Sequence, residues 1–164
     1  MKNFWLLSLL GLMSLSGCKN LPFIDKDSIF SSYVDFGAGK MMPDEDYLFD
    51  FFDSIPDVKK LKDVSVEVSV RYTDRCKIKS LPLNVETASL YSDSIELRQI
   101  DIPLFNENDE FQGQGNFGIF ETNYTLSQLP EIPEGFFVDI STPEKNTRGI
   151  ISLGISVTSN HPPK

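Results

Sequence analysis

The chain has 164 residues, a formal net charge of −9 and only two cysteines. Its 15 basic residues are outnumbered by 24 acidic ones, so the composition disfavours nucleic acid as a partner. Its acidity also disfavours direct contact with anionic lipid headgroups.

The first predicted element is a secretory leader. Lys2 supplies a positive start, and residues 4–15 are almost entirely apolar. This stretch is shorter than the roughly 20 residues that a membrane-spanning helix needs, so a signal peptide is the better interpretation. The sequence LSGC at residues 15–18 resembles a bacterial lipobox, in which the thiol of the cysteine is alkylated by a diacylglyceryl group before cleavage.

We therefore predict a lipoprotein signal peptide at residues 1–17 and a lipidated N-terminal tether at residues 18–27, with Cys18 as the modified residue. Two or three acyl chains on one cysteine meet the two lipid signals that stable anchoring requires. Lys19 follows Cys18, and neither an aspartate at that position nor an acidic run suggests retention in the inner membrane or export to the surface. The prediction is an outer-membrane lipoprotein that faces the periplasm; the alternative is a secreted protein whose Cys18 is incidental.

The second cysteine has no partner once Cys18 carries lipid. No intramolecular disulfide is then expected, although the compartment would allow one. Cys76 is predicted to be a small buried apolar group rather than a reactive thiol. Cleavage also removes Lys2, which leaves 14 basic and 24 acidic residues and a net charge of −10.

Residues 28–159 show the period-two alternation of half-buried strands. Four stretches alternate most clearly, and their apolar sets are Val64, Val66, Val68, Val70 and Tyr72; Leu81, Leu83 and Val85; Phe136, Val138 and Ile140; and Ile151, Leu153, Ile155 and Val157. Weaker strands are predicted in SIFSSYVDF, YLFDFFD and GIFETNYTL. The stretch LSQLPEI is the one candidate for a turn of helix.

One predicted strand, SIELRQIDI, changes phase. Ile95 and Leu97 fall on odd positions, whereas Ile100 and Ile102 fall on even ones. This slip predicts a β-bulge near Arg98 and the following residue, or two short strands. The whole pattern predicts one all-β domain, an antiparallel β-sandwich of about eight strands with an immunoglobulin-like or jelly-roll-like arrangement, followed by a flexible tail at residues 160–164.

Several segments together resemble the gliding-motility lipoprotein GldH family of Bacteroidetes. Arg71 ends a strand at the family's arginine position, and SLPLNVE fits the strand that follows. The family's Trp-x-Gly-x-Gly and its closing Gly-Ile-x-x-Val-Gly are matched over roughly residues 30–158 by Phe111, Gly113, Gly115, Gly149 and Gly154. Phe111 replaces the tryptophan, and Cys76 and Ile78 stand where the family has aromatic residues.

The resemblance implies a non-enzymatic lipoprotein linked to gliding motility and to the associated type IX secretion apparatus. Without the resemblance, the sequence leads to a compatible hypothesis. The protein would be a structural or interaction component that docks envelope proteins through a sheet face or edge. The alternative is a carbohydrate-binding β-sandwich lipoprotein, which predicts an exposed planar row of tyrosines. No tryptophan follows Trp5, which disfavours this alternative.

Motifs for catalysis or cofactors are weak. GQGNFG fits the spacing of a dinucleotide-binding loop at Gly113, Gly115 and Gly118, but a strand follows it, so the glycines are predicted to form a tight hairpin turn. His161 is the only histidine, which leaves a zinc site or a catalytic triad without partners. Acidic residues at 44–46 and 106–110 could hold Ca²⁺, but solvated loop tips are the preferred interpretation. No enzyme activity and no cofactor are predicted.

Two further features concern modification and contact. The tripeptide DSI occurs three times and resembles the O-glycosylation site of Bacteroidetes secretory proteins, which makes Ser28, Ser54 and Ser94 candidates. Turn chemistry is the alternative explanation. Five phenylalanines at 49, 51, 52, 136 and 137 cannot all face one core. The exposed ones could form a protein interface, or could pack on both sides of a bent strand.

Overall fold

A computed structural model describes residues 28–51, 62–89 and 92–159, apart from the side chains of residues 92–94. Nine strands form in this part of the chain. They are β1 (Ser28–Asp35), β2 (Tyr47–Asp50), β3 (Lys62–Thr73), β4 (Ser80–Ser89), β5 (Ser92–Pro103), β6 (Gln114–Asn116), β7 (Ile119–Glu131), β8 (Phe136–Ser141) and β9 (Ile150–Ser159). The described residues include no helix that could cross a membrane.

The strands form two antiparallel sheets. The five-stranded sheet, sheet I, has the order β1-β9-β3-β7-β6, and the four-stranded sheet, sheet II, has the order β2-β8-β4-β5. Apolar side chains from both sheets form a single buried cluster. The structure therefore confirms the predicted all-β antiparallel sandwich.

The alternation in three of the four clearest stretches is confirmed. The apolar residues predicted for β3 and β4 are all at most 1% exposed, and Phe136, Val138 and Ile140 of β8 lie in the same core. Strand β3 lies between β7 and β9, so both of its edges are hydrogen bonded. Its continuous row of valines is what a central strand with one face on the core requires.

Strand β9 departs from the prediction at its first residues. Arg71 pairs with Ser152 while Tyr72 pairs with Ile150, so Ile151 is an extra residue in a β-bulge. Ile150 is fully buried, whereas Ile151 is only half-buried. The prediction that Ile151 belongs to the core set was wrong, because the bulge shifts the alternation by one residue.

Two local predictions were also wrong. Strand β5 pairs with β4 in unbroken register from Ile95 to Pro103, so no bulge lies near Arg98. The change of phase in its sequence has another cause, since Ile95 and Leu97 face solvent. The stretch LSQLPEI is strand rather than a helical turn, because β7 continues to Glu131 alongside β3.

An aromatic cluster closes the end of the sandwich where the chain crosses from β5 to β6. Phe111 stacks on Phe120 with ring centroids 4.1 Å apart, and Phe105 lies 4.9 Å from Phe111. The buried hydroxyl of Tyr72 donates to the carbonyl of Leu104 at 2.8 Å and also contacts the carbonyl of Gln112. Tyr72 therefore fixes the crossover loop to the central strand.

Removal of this hydroxyl has a measurable consequence. Burial raises the pKa of Tyr72 to about 12 from the ordinary value of 10.0. Ionisation then favours the unfolded chain, so the stability contribution is full below pH 10 and is lost as the pH rises towards 12. We expect Tyr72→Phe to lower the free energy of unfolding by about 1 kcal/mol at pH 7. Equilibrium unfolding at pH 8 to 12 should also show a smaller alkaline loss of stability in the variant, and an identical slope in both proteins would contradict this assignment.

Candidate interaction surface

The outer face of sheet I carries polar side chains that bind one another. Arg71 Nε lies 2.8 Å from Glu121 Oε2, and the Arg71 guanidinium stacks 3.9 Å from the centroid of the Tyr33 ring. The Tyr33 hydroxyl donates to Glu121 Oε1 at 3.2 Å. Desolvation raises the pKa of Tyr33 above its ordinary value. Because these groups already bind one another, this face offers little to a partner.

The outer face of sheet II carries exposed apolar side chains instead. Ile95 is 62% exposed and Leu97 is 74% exposed, both on the edge strand β5. In register with Ile95 across the sheet lie Ala88 and the half-buried Phe137. We call these four residues the apolar patch, of which Ile95 and Leu97 are exposed and Ala88 is buried. Exposed apolar groups that cluster in this way are typical of contact surfaces.

A groove lies beside the apolar patch. It has a volume of about 410 Å³, and its lining consists of Asp46, Asn84, Val85, Glu86, Leu97, Arg98, Gln99, Asp139 and Ser141. Desolvation and then the nearby charge of Asp46 raise the pKa of Asp139. The Oδ1 atom of Asp139 is buried and makes no hydrogen bond with any described residue. The groove therefore presents several carboxylates and one unsatisfied acceptor, a set that favours a cation.

A second opening separates the two sheets along the seam between β5 and β7. It measures about 560 Å³ and is lined by residues that include Ile95, Leu129 and Phe136. Arg98 crosses this seam and donates from Nη1 to the carbonyl of Leu126 at 2.8 Å. Its guanidinium also pairs with Glu96 at 2.5 Å. Arg98 thus links the two sheets across the seam.

Backbone directions determine which residues of β5 face its free edge. The carbonyls of Phe136 and Thr142 accept bonds from Phe51 and Asp44, so these even-numbered residues of the β8 segment face β2. The backbone groups of the odd-numbered residues of β8 then point to β4, where they pair with even-numbered residues. The backbone groups of the odd-numbered residues of β4 therefore point to β5, where they pair with even-numbered residues. The N–H and C=O groups that point away from β4 are consequently those of Ile95, Leu97, Gln99 and Asp101.

A proline supports the same assignment. Pro82 pairs with Asp101 but has no N–H to give, and its carbonyl accepts from Thr142 Oγ1 at 2.7 Å on the side of β8. The pair between Pro82 and Asp101 is therefore not hydrogen bonded. Ile95 and Leu97 thus combine exposed apolar side chains with outward backbone groups.

The four glycines that carry the family resemblance lie where an added side chain would collide with neighbouring atoms. Gly113 and Gly149 have φ of 93° and 95°, and a Cβ on either would collide with backbone atoms, of Glu121 in one case and of Cys76 in the other. A Cβ on Gly115 would lie 2.5 Å from the carbonyl of Ile119, and one on Gly154 would strike the ring of Tyr33.

The other motif positions have structural roles as well. Arg71 joins the ion pair on sheet I, and Phe111 joins the aromatic cluster. The hairpin prediction for GQGNFG is confirmed, because Phe117 and Gly118, with φ of 55° and 78°, form the two-residue turn between β6 and β7. These motif residues shape the sandwich and do not converge on one chemical site.

The structure describes only some of the residues that the sequence predicts to be modified. Cys18 and Ser54 lie outside the described residues. Ser28 begins β1, where its hydroxyl donates to the carbonyl of Phe30 at 2.7 Å. Ser94 lies in β5. Cys76 is a buried free thiol, as predicted, and desolvation raises its pKa.

The acidic loop at 106–110 is organised by its own contacts. Asn106 Oδ1 accepts from the amides of Asn108 and Glu110, and Asp109 pairs with Lys79 at 2.6 Å. Within the described ranges no three His, Cys, Asp or Glu side chains are close enough to hold a metal ion.

Aromatic residues are distributed mostly inward. Phe49, Phe51 and Phe136 lie in the core, whereas Phe137 belongs to the apolar patch and Phe52 lies outside the described residues. Tyr47 and Tyr72 are buried and Arg71 covers Tyr33, so Tyr124, at 37%, is the one exposed tyrosine among those described. The described tyrosines do not form a row on one face.

Comparison with known proteins adds no assignment. No family model matches the chain, and a search of curated proteins finds no significant match.

Proposed function

We propose that the protein is a lipid-anchored envelope lipoprotein that serves as a non-catalytic structural and interaction component of machinery for gliding motility or type IX secretion. The lipobox at Cys18 supports the anchor, and the resemblance to the GldH family supports the association with that machinery. In this proposal the protein resides in the outer membrane and faces the periplasm.

The observation that carries the proposed docking role is the exposed apolar patch on sheet II. Leu97 at 74% and Ile95 at 62% would each bury more surface on contact with a partner. Burial of one such side chain is worth about 1.5–3 kcal/mol. The outer face of sheet I lacks such a patch, so the two faces of the sandwich differ in what they can bind.

The start of β1 and the apolar patch lie at the same end of the sandwich. Strand β1 begins at Ser28, where it pairs with Thr158 at the end of the sandwich from which β3 starts. Ala88 and Ile95 lie near the end of β4 that is remote from Ser80, which is the same end of the sandwich. The patch would therefore lie near the tether and within reach of other membrane-anchored proteins.

Purification from gently solubilised membranes tests this proposal. The tagged full chain should recover envelope proteins, and Leu97→Ser should reduce that recovery several-fold because it removes apolar contact area. Asn123→Ser is the matched control, since Asn123 is an exposed residue on the outer face of sheet I, where it pairs with Ser69. Recovery of no envelope protein by the wild-type chain would contradict the proposal.

A further inference from the structure

Strand β5 is the longest free edge in the described part of the sandwich. It has 12 residues, whereas the edge strands β2 and β6 have four and three. Strand β7 is also unpaired beyond β6, from Thr122 to Glu131, but this stretch contains a register shift and a proline, Pro130. The remaining edge strand, β1, is interrupted by a register shift between Ser28 and Phe30. Proteins usually shorten, bend or block such edges to prevent pairing with other chains. From Ile95 to Pro103, β5 stays in register, and its only proline is the last residue.

Between Ile95 and Gln99, the charged side chains of β5 do not block its free edge. Glu96 and Arg98 alternate with the outward residues and therefore point towards the inner side of the sheet. They neutralise each other at 2.5 Å, and Arg98 also holds the carbonyl of Leu126. The backbone groups of Leu97 and Gln99 remain directed outward, on the side of β5 where no described strand is paired.

The charge of the outer face specifies the kind of segment that fits. The strand residues of sheet II that share this face include Glu86, Asp101 and Asp139 but no lysine or arginine. A second copy of the chain would bring the same acidic face to the contact and would be repelled. A segment with basic side chains would be attracted.

From these observations we infer that the free edge of β5 takes up an extended segment of a partner protein as an additional strand of sheet II. Main-chain bonds to Leu97 and Gln99 would give affinity, and alternate side chains would give specificity. Apolar side chains of the segment cover Ile95 and Leu97. A lysine or arginine of the segment extends over Gln99 to Glu86 in the groove, a span of two strand spacings or about 10 Å. This inference rests on the proposed function and names the partner's chemistry.

The substitution Gln99→Pro tests most directly whether the free edge of β5 binds an added strand. The N–H of Gln99 faces away from β4, so Gln99→Pro removes an edge donor without breaking a bond inside sheet II. Gln99→Ala is the matched control, because it shortens the side chain and keeps the donor. A second variant, Leu97→Lys, repels a basic segment and changes a side chain that is already 74% exposed.

The experiment uses the full chain in intact cells with a photo-cross-linking phenylalanine at position 95, and a control cross-linker at position 123 on the outer face of sheet I. We expect an adduct from position 95 whose cross-linked peptide has alternating apolar residues and a lysine or arginine. Gln99→Pro and Leu97→Lys should each reduce its yield at least tenfold, and Gln99→Ala, which keeps the edge donor, should retain most of it.

Three outcomes would overturn the inference while the proposed function survives. They are an adduct with a second copy of this chain, a yield that neither Gln99→Pro nor Leu97→Lys reduces, and an envelope partner that cross-links from position 123 but not from position 95. Absence of adducts at both positions, together with an empty purification from membranes, would refute the proposed function as well.

Discussion

Replacement of Gly149 with alanine is expected to destabilise the protein by at least about 3 kcal/mol, near the upper end of single-residue effects. Gly149 has a φ of 95°, which L side chains rarely adopt, and an added Cβ would lie 2.7 Å from the Cα of Cys76 and closer still to its amide nitrogen. These neighbours are backbone atoms that cannot rotate away. Strain in the turn before β9 would therefore add to the cost of the unfavourable φ.

Gly37→Ala is the matched control for this prediction. Its added Cβ would meet no atom within 4 Å, and its φ lies outside the left-handed region. Thermal unfolding should place Gly149→Ala roughly 6–12 °C below the wild type, with Gly37→Ala close to it. Equal midpoints for the two variants would show that the motif glycine is not required by the fold.

The core could be predicted from sequence because its pattern is regular. The valines of β3 and the leucines of β4 alternate without interruption, and each set has one buried face. The prediction failed where the backbone changes register, as at Ile151, since a bulge depends on the partner strand and leaves no signal in local alternation. The motif glycines were visible in the sequence, but the collisions that require them involve residues distant in the chain.

The sequence indicated only part of the candidate interaction surface. The change of phase between Leu97 and Ile100 was a correct signal that was interpreted wrongly. This change predicts a β-bulge or two short strands, whereas the strand stays regular and places Ile95 and Leu97 in solvent. Only the strand order shows that these residues lie on an edge. The groove needs Glu86 and Asp139 from two further strands, which no local pattern brings together.

The second large effect is expected from Cys18→Ser. The lipobox prediction makes the thiol of Cys18 the only attachment point for the acyl chains, and a hydroxyl cannot form the thioether. Each buried CH₂ contributes about 0.8 kcal/mol to membrane binding, so loss of two or three chains removes the anchor completely. The acidic domain, at −10 after cleavage, has little attraction of its own for anionic lipid. The variant should fold normally, because residues 28–159 contain the whole described core.

Membrane fractionation of cells that express Cys18→Ser, beside wild type and the control Lys19→Ser, is the most direct test of an anchored docking protein. The account predicts that wild type and Lys19→Ser sediment with the outer membrane, whereas Cys18→Ser is found in the soluble fraction and no longer recovers envelope partners. A Cys18→Ser protein that still sediments with lipid and retains its partners would contradict the account.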